Sequence, residues 1–88
     1  MDNGNKFWRG QVDSVISNIK ELYGREVSVD WDYKGSMSKI DLDGKFVAVT
    51  GSKPIEVLQV VDAIYSMIVI FRNEQLDRLS KELHSVVR

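Results

Sequence analysis

The chain has 88 residues, enough for one domain, with 13 acidic and 12 basic side chains, a net charge of -1 and no cysteine. That balance offers no general attraction to nucleic acid or to anionic lipid. Without cysteine there are no disulfides or thiolate metal sites, so a core this small calls for another brace, and a second copy of the chain is the simplest.

Residues 1–6 are polar and glycine-containing and read as a disordered tail. The opening MDNGNKFWRG lacks the apolar segment of a secretory signal, and a cytoplasmic location is the expectation. From Trp8 the spacing is helical. Val12, Val15, Ile16, Ile19, Leu22 and Tyr23 share its face, and Asp13, Ser14, Ser17, Asn18, Lys20 and Glu21 lie opposite. Gly24 is placed to stop this helix.

Residues 27–33 alternate as a half-buried strand does. Val27, Val29, Trp31 and Tyr33 share one face, and Ser28, Asp30 and Asp32 share the other. Lys34-Gly35-Ser36 supplies a turn. A second strand over 37–42 turns Ser38, Ile40 and Leu42 inward. Asp43-Gly44 is the strongest hairpin signal in the chain. A third strand over 45–50 pairs Phe46 with Ala48 on one face and Val47 with Val49 on the other; either face could be the buried one. The expected fold class is therefore α+β. Its order is α-β-β-β-α, a three-stranded antiparallel meander with the helices packed on one face, in a single domain over 1–88.

Residues 55–71 read IEVLQVVDAIYSMIVIF. Polar side chains recur at Glu56, Gln59, Asp62 and Ser66, at helical intervals. Pro54 suits a first helical turn, with Ser52 or Lys53 as the cap before it and Ser52 the better acceptor. Two apolar stripes result. Leu58, Val61, Tyr65 and Ile68, continued by Leu76, Leu79, Leu83 and Val86, can pack on the chain's own sheet. Val57, Val60, Ile64, Met67 and Phe71 need another cover. Arg72 interrupts the pattern and Asn73 could cap a new helix, so 53–87 reads either as one helix or as two kinked near residue 72. The apolar run is about 17 residues long with two acids inside it, short of the ~20 a membrane span needs, so no membrane contact is expected.

The candidate interface is Val57, Val60, Ile64, Met67, Phe71 and Arg72, extended by Leu76, Leu79 and Leu83. The candidate acidic docking face is Asp30, Asp32, Asp41 and Asp43, suited to a basic protein segment or, as an alternative, to a hard cation. His84 is the single histidine; Ser80 lies one turn away, but nothing is placed to orient the imidazole, so no triad is indicated. Gly51-Ser52-Lys53-Pro54 at a strand-to-helix junction is not a Walker loop.

The α-β-β-β-α order is similar to that of double-stranded-RNA-binding domains, whose final helix opens on a lysine cluster that contacts RNA. Here Lys53 stands at that place with Glu56 and Asp62 following, so the likeness lies in element order and the RNA-contacting motif is missing. The leading expectation is a small, non-enzymatic, homodimeric interaction protein that binds and regulates or adapts another protein, with no cofactor or metal. The alternatives are a dimeric nucleic-acid-binding protein using Lys6, Arg9, Lys20 and Arg25, and a small-ligand or metal-dependent protein using the acidic sheet face with Trp31 or Tyr33.

Overall fold

A computed structural model describes the backbone of residues 2–86 and the side-chain surroundings of residues 4–81. Its order is α1 (Asp2–Tyr23), β1 (Val27–Tyr33), β2 (Met37–Leu42), β3 (Lys45–Gly51) and α2 (Pro54–Val86). The three strands form an open antiparallel sheet in the order β1-β2-β3. Both helices pack on the same face of it, which gives the α-β-β-β-α architecture of the α+β class.

Helix α1 starts at Asp2, well before the apolar spacing begins at Trp8, so residues 2–6 are helical rather than a tail. Its end is a left-handed glycine cap: Gly24 has φ +65°, and its N–H donates to the Lys20 carbonyl at 2.9 Å. Asp43 (φ 52°) and Gly44 (φ 80°) form the two-residue hairpin turn between β2 and β3, the left-handed pair that an Asp-Gly sequence favours.

Two register shifts break the simple alternation. One lies in β1 between Asp30 and Tyr33. Trp31 stays with the core, but Tyr33 lies under the ammonium of Lys39, a residue flanked by inward-facing Ser38 and Ile40 and so turned outward. The other shift lies in the β2–β3 pairing, where Ile40 faces Ala48 and Asp41 faces Phe46, leaving Val47 as the extra residue. Phe46 and Ala48 therefore do not share a face. Phe46 is exposed beside Lys39, and Val47 turns toward α2.

The core consists of Val12 and Ile19 of α1, Val27 and Ile40 of the sheet, and Val57, Val61 and Ile64 of α2. Helix α2 lies in the angle between α1 and the sheet, so it is covered from two sides. Leu58, Val61, Tyr65 and Ile68 pack against the body as expected. Val57 and Ile64, expected to need a cover from outside the subunit, are enclosed by its own atoms at 0% and 7% exposure. Lys53, not Ser52, caps the helix: its carbonyl accepts from the N–H groups of Glu56 and Val57 at 3.0 and 3.3 Å.

Helix α2 runs unbroken through Arg72. Its 33 residues span about 50 Å, and only the first half meets the body. Every described side chain from residue 70 to residue 81 is exposed. The molecule measures 63 × 24 × 16 Å, and its radius of gyration of 16.7 Å exceeds the ~12 Å of a compact chain of this length.

Ser38 is fully buried and its hydroxyl has no hydrogen-bond partner. Ser38→Ala removes that unpaired group and is expected to raise stability by about 1 kcal/mol, read as a higher urea midpoint. Ile64→Asp places a charge in the core and should cost about 3 kcal/mol or more; an unchanged midpoint would put Ile64 outside it.

Candidate functional site

The half-emerged helix α2 sets the geometry of the main surface feature. On one side of it lies an open groove of about 590 Å³. Leu42 and Val47 at the hairpin end of the sheet form one wall. Val60, Ile64, Met67 and Phe71 of α2 form the other. The register shift that frees Val47 brings it into this wall. Met67 is 68% exposed and Phe71 57% exposed, so the groove opens directly to solvent. Past its end, Leu76 and Leu79 are bare as well.

Thus the structure divides the expected interface. Val57 and Ile64 belong to the core, although Ile64 also touches the groove floor. Val60 is half-buried. Met67, Phe71, Leu76 and Leu79 form the free apolar surface, and Ile70 joins them at 54% exposure. The side chains of Leu83 and His84 lie outside the described residues. Exposed apolar positions at Ile70 and along the groove's sheet wall at Val47 were not singled out by the sequence. Only the covered angle of α2 and the β3 bulge reveal them.

Two guanidinium groups border the groove. Arg25 pairs with the Asp43 carboxylate. Arg72 lies over the Tyr23 ring at 5.5 Å, and no carboxylate pairs with it among the described residues. Tyr23 in turn packs edge-on to Tyr65 at 6.1 Å. Arg72 therefore marks the last contact of α2 with α1, where the helix leaves the body.

The four aspartates do not act as one face. Asp43 binds the two turns at one end of the sheet together. It accepts from the Glu26 N–H at 2.9 Å and from Arg25, while its own N–H donates to the Glu26 carbonyl at 2.7 Å. The Glu26 N–H and then Arg25 hold its carboxyl below the usual carboxylate range. Asp41 and Asp30 flank Lys39 on the outer sheet face, with the Asp41 carboxylate 4.0 Å from the Lys39 ammonium. That is too long for a hydrogen bond, and the enclosed Asp41 Oδ1 has none. Asp30 accepts from the Asp32 N–H at 3.2 Å, a local turn bond beside the β1 bulge. Among the described residues no three His, Cys, Asp or Glu side chains gather as a metal-holding group.

Nor are the basic residues of α1 and the turn after it a single patch. Lys6 and Lys20 are separated along the helix by about 20 Å. Arg9 is stacked on Trp31 at 4.4 Å and Arg25 is held by Asp43.

Within Pro54–Lys81 of α2, an 18-residue window with a mean hydropathy of 1.7 is long and apolar enough to cross a membrane by length and composition alone, a test that the core helix of a soluble protein also passes. In this fold the first half of α2 is committed to the subunit core through Val57, Val61 and Ile64. Searches against protein-family models, curated proteins and solved structures find no significant match to this chain.

Asp43 generates a pH prediction. Its carboxyl has a folded pKa below the unfolded one, so its contribution is present above about pH 4 and is lost as pH falls through the lowered folded value. The melting temperature of the wild type should fall more steeply below about pH 4 than that of Asp43→Asn, which is already less stable at neutral pH. Parallel acid profiles for the two proteins would show that Asp43 carries no such linkage.

Proposed function

We propose that this chain is a non-enzymatic interaction protein that works as a homodimer, using the uncovered apolar face of α2 to self-associate and so to present its sheet to another protein. The observation that carries the reading is the second half of α2. Met67, Ile70, Phe71, Leu76 and Leu79 are each more than half exposed along one helix. Met67, Ile70 and Phe71 bare one side of the emerged helix and Leu76 and Leu79 bare another, and exposed apolar surface of that kind favours cover by a second chain. Helical propensity supports the same reading. Val, Ile and Phe are weak helix formers, and a helix of them gains stability chiefly through burial.

The membrane reading has the hydropathy of α2 in its favour. A spanning helix would have to strip Val57, Val61 and Ile64 from Val12, Ile19 and Ile40, which removes the core of the fold. A protein cover for the second half leaves that core intact. The outer sheet face, with Phe46 61% exposed beside Lys39, Asp30 and Asp41, is left free for a further protein partner in such a dimer.

Sedimentation over a range of concentrations tests the reading. The wild type should sediment as a dimer that dissociates on dilution. Phe71→Asp should shift it to monomer while the urea midpoint of the dissociated chain changes by no more than about 0.5 kcal/mol, since the position is exposed. A wild type that stays monomeric at high concentration would overturn the proposal.

A further inference from the structure

We draw no further inference here: the strongest candidate, the open apolar groove between α2 and the hairpin end of the sheet, carries nothing, because nothing in the structure shows what covers it.

Discussion

Everything else in the structure depends on a mismatch of length. Helix α2, at 33 residues, is half as long again as the 22-residue α1 it packs on. Its first half lies in the angle between α1 and the sheet, and Val57, Val61 and Ile64 complete the only described core. These residues are β-branched and contribute little intrinsic helicity, so the contact holds both the helix and the fold. The same helix, once started, runs on past the end of α1 and the hairpin edge of the sheet. What was a covered stripe becomes a bare one without any change in the helix itself.

The sheet is shaped by small irregularities with local causes. The β1 shift is accompanied by the Asp30–Asp32 turn bond and moves Tyr33 to the outer face. The β3 bulge brings Val47 against α2 and leaves Phe46 outside. Asp43 ties the α1–β1 turn to the β2–β3 turn, which holds the hairpin end beside α2 where the groove forms. An acidic residue that looks like part of a docking surface is thus a brace between two turns.

Much of this was legible in the order of residues. The alternation of 27–33, the Asp43-Gly44 turn, the Gly24 cap and the helical periodicity over 55–71 follow from backbone preferences that neighbours in sequence decide, whereas the continuation of α2 unbroken through Arg72 was left open by the sequence. Local pattern also identified α2 as carrying more apolar surface than one face can use. Which part of that surface is bare was decided by tertiary structure. Val57 and Ile64 share a stripe with Met67 and Phe71, but the first pair lies between α1 and the sheet and the second lies beyond both. Periodicity describes the circumference of a helix; only the placement of other elements along its axis determines where cover ends.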